Sequence, residues 1–274
     1  MVKRIFVACL LASALNADVL ENTIASFMGD TEFYSQKNLV KIVFNNPSSY
    51  VDEVTGKPNA LEIIKTLKDN GLIRLFYKEA QMLELTFHAS TEPLLFMRVI
   101  NESLEAMGYS YYLSQKVARN GEGVTWTISL STQHVVDPVM LSKQLEARGC
   151  SIGDIVKEGK NAWYYVLDTA NAGVKVEALA LDTTVALGKP IKPYWVAIKE
   201  ARRLSLRAHP ADHWFPQVAF FDERLHLIEE IRLEENHTKL KLTVPNKAMY
   251  VKIEDRYTLD NIKRGLSIYL NSRR

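Results

Sequence analysis

Three times before residue 171 the chain repeats one pattern: a proline, a helical stretch, a glycine, then strands of alternating polarity. The first helix is expected to start at Pro58, carries Leu61, Ile64 and Leu67 on one side, and stops at Gly71. The second opens at Ser90-Thr91-Glu92-Pro93, aligns Phe96, Ile100, Leu104 and Met107, and stops at Gly108. The third opens at Asp137-Pro138, faces Leu141 and Leu145 inward, and stops at Gly149. Proline suits the first helical turn, where its missing N–H would have no partner anyway. Glycine suits the left-handed residue that closes a helix.

Each helix is followed by segments that read as a hairpin. The first is expected over Leu72 to Lys78 and Met82 to His88, turning at Glu79-Ala80-Gln81. The second covers Tyr109 to Val117 and Val124 to Leu130, turning at Asn120-Gly121-Glu122-Gly123. The third covers Ser151 to Val156 and Ala162 to Leu167, turning near Glu158-Gly159-Lys160. Leu83, Leu85 and Phe87 alternate with Glu84, Thr86 and His88, and Trp126, Ile128 and Leu130 with Thr125, Thr127 and Ser129. Such alternation predicts sheets with one dry and one wet face, the dry face covered by the helices. Ahead of the repeats, Leu20, Ile24, Phe27 and Met28 predict a helix opened by Asp18 and Glu21, and Leu39 to Phe44 reads as a strand.

Beyond residue 172 the helical period disappears. Strands are expected at Val174–Leu181, Tyr194–Lys199, Arg203–Ala208, Gln217–Phe221, Leu225–Leu233, Lys239–Val244, Met249–Asp255 and Leu266–Leu270. Short strands so closely spaced predict a sandwich. The expected fold is therefore α+β, with helix-plus-antiparallel-hairpin units at 18–171 and an all-β, jelly-roll-like sandwich at 172–274.

The first seventeen residues read as an address. Lys3 and Arg4 precede an apolar run from Ile5 to Leu15, and small residues follow at Ala12, Ser13, Ala14 and Ala17. This is the order of a secretory signal peptide, cut after Ala14 or after Ala17. The cut after Ala17 leaves Asp18 to open a helix. Cys9, after Val7-Ala8, offers a lipid-attachment alternative, with only four residues of apolar run before it. The run is too short to span a bilayer as a helix, which takes about 20 apolar residues. Export to the periplasm is the expectation. Loss of Lys3 and Arg4 takes the formal charge from +2 to about zero, which gives no overall attraction for nucleic acid. One cysteine, Cys150, then remains. It cannot form an intramolecular disulfide and reads as buried.

The units Leu61 to Phe87 and Leu141 to Leu167 resemble the small helix-plus-hairpin domains of envelope machines, such as the periplasmic domains of secretins and those preceding outer-membrane assembly barrels. That resemblance implies protein–protein contact, often by edge-strand pairing. Leu204-Ser205-Leu206, Phe215-Pro216-Gln217-Val218-Ala219-Phe220-Phe221-Asp222, Met249-Tyr250-Val251-Lys252-Ile253 and Gly265-Leu266-Ser267-Ile268-Tyr269-Leu270 resemble the bacterial pre-peptidase C-terminal β-sandwich. That family implies a non-catalytic jelly roll binding carbohydrate, protein or calcium.

Motifs that carry chemistry are few. Gly149-Cys150-Ser151-Ile152-Gly153 matches the serine-hydrolase spacing, which needs a strand before the serine and a helix after it. Here the order is reversed, and Asp212 and His226 would complete a triad by coincidence. His209 and His213, four residues apart, would suit zinc on a helix, but Pro210 and Pro216 predict a loop. Asp212, Asp222 and Glu223 carry oxygens that could hold calcium; the sequence calls for no other cofactor. Trp214 and Phe215, with Asp212 and Asp222 close by, form the ligand-binding candidate, on the expectation that they stand on an exposed loop. The expected function is a non-catalytic periplasmic scaffold or adaptor of a bacterial envelope machine, for example a flagellar motor's periplasmic structure or a secretion or assembly complex. Its partners would be other envelope proteins. The alternative is a glycan- or peptidoglycan-binding module, and a hydrolase stands behind both.

Overall fold

A computed structural model describes residues 18–52, 54–176 and 178–272. The expected leader, with Cys9, lies outside them. The described residues form a mixed α+β protein in two compact units that divide between Ala172 and Gly173.

The first unit opens with helix α1 (residues 18–28), which buries Leu20, Ile24, Phe27 and Met28 as their spacing requires. Helices α2 (Asp30–Ser35) and α3 (Lys37–Val43) follow. The expected strand at Leu39–Phe44 is thus a helix. Val40 and Phe44 are buried one turn apart while Leu39 and Ile42 face solvent, a helical burial pattern that a six-residue apolar run does not reveal. Helix α4 (Ala60–Asp69) starts two residues after the expected Pro58, which instead bridges to Val51, and Asn59 Oδ1 caps it by accepting the Glu62 N–H at 3.1 Å. Helix α5 (Pro93–Ala106) has its proline in the first turn. Helix α6 (Pro138–Glu146) is capped by Asp137, whose Oδ1 accepts from Val139 and Met140.

One five-stranded sheet joins them: β1 (Phe76–Ala89), β2 (Leu113–Asn120), β3 (Gly123–His134), β4 (Ser151–Lys157) and β5 (Ala162–Asp168), in the order β2-β3-β1-β5-β4. The second and third expected hairpins form as β2–β3 and β4–β5. The first does not. Lys78 to Gln81 continue a single strand, and a shift in register against β3 between Phe76 and Gln81 absorbs them. That stretch holds no Gly, Asn or Asp to supply the positive φ of a tight turn. β1 is therefore the centre of the sheet, antiparallel to β3 and parallel to β5.

Register sets the dry face. Leu85 lies opposite Ile128 and Trp163, and Phe87 opposite Trp126 and Tyr165. Phe87 stacks on Tyr165 at 5.4 Å, and Phe27 of α1 stacks on Trp163 at 6.0 Å. Lys157 Nζ donates to the Phe27 carbonyl at 2.9 Å, satisfying a helix-end acceptor. The opposite face carries Thr86, itself buried, bonded to Thr127, and His88 bonded to Thr125.

The second unit holds two antiparallel sheets. The strands are β6 (Thr184–Ala186), β7 (Tyr194–Ala197), β8 (Ala201–Ala208), β9 (Pro216–Phe221), β10 (Leu227–Arg232), β11 (Lys239–Thr243), β12 (Tyr250–Asp255) and β13 (Leu266–Ser272). They form β10-β9-β12-β7 and β11-β8-β13-β6. Leu204, Leu206, Ile268 and Leu270 from one sheet share a core with Val218, Phe220, Val251 and Ile253 from the other. The strand expected at Val174–Leu181 does not form: the described residues there make one bridge, Ala178 to Ala197. β6 follows it instead.

Candidate functional site

Trp214 is not on an exposed loop. Its side chain is fully buried in the core of the second unit, and its indole N–H donates to the Glu254 carbonyl at 3.1 Å. Phe215 is half-buried and meets the Tyr257 ring edge-on at 5.1 Å. Asp255 ties the segment down. Its Oδ2 accepts the Phe215 N–H at 2.8 Å, and its Oδ1 accepts from Tyr257, Thr258 and Asn261. Asp212 is also buried and is neutralised by the Arg264 guanidinium, with a further bond from the Arg264 N–H. Buried carboxylates persist only when paired and hydrogen-bonded. The segment 212–215 therefore closes the end of the core. The sequence marks neither Asp255 nor Arg264, because their partners Phe215 and Asp212 lie 40 and 52 residues away in the chain.

Asp222 organises a turn. It accepts from the N–H groups of Arg224 and His226, both at 2.8 Å, and from the His226 ring at 2.9 Å. Burial alone would raise its carboxyl, but these bonds and the His226 charge hold it below the ordinary range. His209 accepts from the Ala211 N–H at 3.1 Å, and His213 meets Asn236 at 3.4 Å. Among the described residues no group of three or more His, Cys, Asp or Glu side chains gathers as a metal site. Glu223 is exposed beside this turn.

Ser151 is the first residue of β4, and the chain reaches it from α6, so no strand-to-helix elbow presents its hydroxyl. Asp212 is held by Arg264 and His226 by Asp222. The neighbouring Cys150 is a buried free thiol, and burial, with the Asp168 charge, pushes it up to about 11. A thiol so high is mostly protonated near neutral pH and a poor nucleophile.

The surface offers one clear feature in the first unit. β2 is an edge strand, and all eight of its residues are exposed. Leu113 and Val117 are 64% and 49% exposed, and Tyr111 just ahead of the strand is 94% exposed. The strand is held in place from its paired side. Trp126 Nε1 donates to Ser114 Oγ at 2.9 Å, and Gln115 Nε2 to Ser129 Oγ at 2.6 Å. Its other side presents backbone groups to solvent, and such edges recruit a further strand.

No family model, curated protein or solved structure matches the chain. The assignment of a role therefore rests on these residues. Among the described residues no helix is long and apolar enough to cross a membrane.

Proposed function

We propose that the protein is a non-catalytic periplasmic scaffold or adaptor of a bacterial envelope machine, such as a flagellar motor's periplasmic structure or a secretion or assembly complex. The carrying observation is β2, an eight-residue edge with free backbone and unlidded apolar side chains, anchored by Trp126 and Ser129. A partner of this strand would be an extended segment of another envelope protein, paired through main-chain hydrogen bonds, with Leu113 and Val117 giving side-chain contact. The basic leader followed by an apolar run supports the compartment. Asp212 and His226, which a triad would need, are engaged by Arg264 and Asp222 instead, which supports a non-catalytic role.

The second unit is proposed to be a jelly roll. Its pairings are nested: β6 with β13, β7 with β12, β8 with β11, and β9 with β10. Such nesting is what a long hairpin rolled into two sheets produces.

The test places a photoreactive amino acid at Lys116 in the native host, with the same group at Lys65 of α4 as control. One discrete cross-linked envelope protein is expected from position 116 and none from position 65. Equal labelling at both positions, or none at 116, would overturn the edge-strand reading.

A further inference from the structure

The outer face of the sheet β11-β8-β13-β6 carries a charge arrangement that the scaffold reading does not use. Side chains of alternate residues leave a strand on the same face. Leu204, Leu206, Ile268 and Leu270 point into the core, so Arg203, Ser205, Arg207, Ser267 and Tyr269 point out. Register then lines up β11 beside them. Lys239 lies opposite Arg207, which lies opposite Ser267. Lys241 lies opposite Ser205, then Tyr269, then Thr184. Thr243 lies opposite Arg203.

Four cations thus share one face. Successive rows are about 7 Å apart and neighbouring strands about 5 Å apart, so Arg207, Lys239 and Lys241 lie within about one screening length of one another at ordinary salt, and Arg203, two rows from Arg207, is that near to Lys241 alone. Arg203, Arg207, Lys239 and Lys241 are all exposed and form no ion pair among the described residues. Asp182, at the Arg203 end, is engaged by Asn271 and the Ser272 N–H. Unneutralised like charges held on a rigid sheet repel one another, and an anionic ligand relieves that repulsion.

Over this face lies a groove of about 220 Å³. Arg207, Lys239 and Lys241 line it from β8 and β11, and Tyr269, Ser267 and Thr184 from β13 and β6. The first pair of strands supplies positive charge, the second an aromatic ring and hydroxyls. That pairing fits a sugar ring lying on the tyrosine while its acid group reaches the cations. An acidic peptide would use the cations and leave the ring and hydroxyls idle.

We propose that this face, centred on Arg207, Lys241 and Tyr269, binds a linear polysaccharide bearing carboxylate or sulfate groups. The site lies in the second unit, and the inference does not rest on the β2 reading.

The test measures binding of the full chain to heparin, polygalacturonate, neutral dextran and polyglutamate by titration calorimetry at two salt concentrations. Heparin and polygalacturonate are expected to bind, and dextran is not. The double variant Arg207→Gln/Lys241→Gln should weaken both by at least tenfold and lower the magnitude of the salt slope by about two. Tyr269→Ala should weaken the polysaccharides several-fold and leave polyglutamate unchanged. All substituted side chains leave the outer face, so an unchanged melting temperature checks that the variants fold. Failure of both acidic polysaccharides to bind, or binding untouched by the double variant, overturns the proposal. Polyglutamate binding as tightly, with Tyr269→Ala without effect on any ligand, overturns the sugar assignment in favour of an acidic peptide.

Discussion

Replacing Trp214 by alanine separates a core role from a ligand-binding one. The side chain is fully buried among the strands of the second unit, and its indole N–H holds the Glu254 carbonyl. Truncating a buried aromatic ring to a methyl group costs about 3–5 kcal/mol, the spread reflecting how far the cavity collapses. The Glu254 carbonyl also loses its indole donor, which adds about 1 kcal/mol. Trp214→Ala should therefore lose about 4–6 kcal/mol. Trp214→Phe keeps most of the ring and should lose about half of that. Urea unfolding of the full chain, followed by far-ultraviolet circular dichroism, reads the difference, with the transitions of the two units fitted separately. The transition of the second unit should shift and that of the first should stay. A Trp214→Ala protein within about 0.5 kcal/mol of the parent would show that the ring is dispensable to the core and would refute the packing argument.

Other consequences follow from single groups. Cys150 holds its proton in the folded chain up to about 11, whereas an unfolded thiol loses it near 8.5. The folded state then binds more protons, so stability is unaffected below about pH 8 and falls between about pH 9 and 11. The Cys150 contribution to that fall is about 3 kcal/mol, and it should vanish from the pH slope of Cys150→Ala in urea titrations. Gly149 closes α6 at φ +73°, and an added Cβ would lie 1.9 Å from the Asn171 carbonyl oxygen. Gly108 closes α5 at φ +90° with nothing within 4 Å. Gly108→Ala should cost about 1–2 kcal/mol, the left-handed penalty alone, and Gly149→Ala clearly more. Equal urea midpoints for the two variants would contradict this.

The parts of the fold legible in the sequence are those marked by local punctuation. Pro93 and Pro138 open helices, and Gly71, Gly108 and Gly149 follow helix ends with positive φ. Asn120 to Gly123 turns β2 into β3 as its glycines require. Where punctuation is missing, the reading fails. Lys37–Val43 is short and apolar enough to serve as strand or helix, and burial of Phe33, Val40 and Phe44 decides it. Lys78 to Gln81 are polar but hold no turn-forming residue, so the strand runs through them.

Site residues were less legible for a related reason. Pro210 and Pro216 correctly signal irregular chain around Trp214. Whether that chain faces water depends on Asp255 and Arg264, which no local pattern announces. The alternation Lys239-Leu240-Lys241-Leu242 shows one cationic face of β11. Its union with Arg203 and Arg207 exists only through the β8–β11 register. Local patterns specify elements, and shared faces come from pairings between distant segments.

The central claim is that a mature chain works outside the cytoplasm as an adaptor, and intact-mass measurement of the native protein after cell fractionation tests it most directly. The account predicts a periplasmic chain that begins at Asp18, with Met1 to Ala17 removed. A cytosolic chain of the full 31.2 kDa, leader attached, would contradict it.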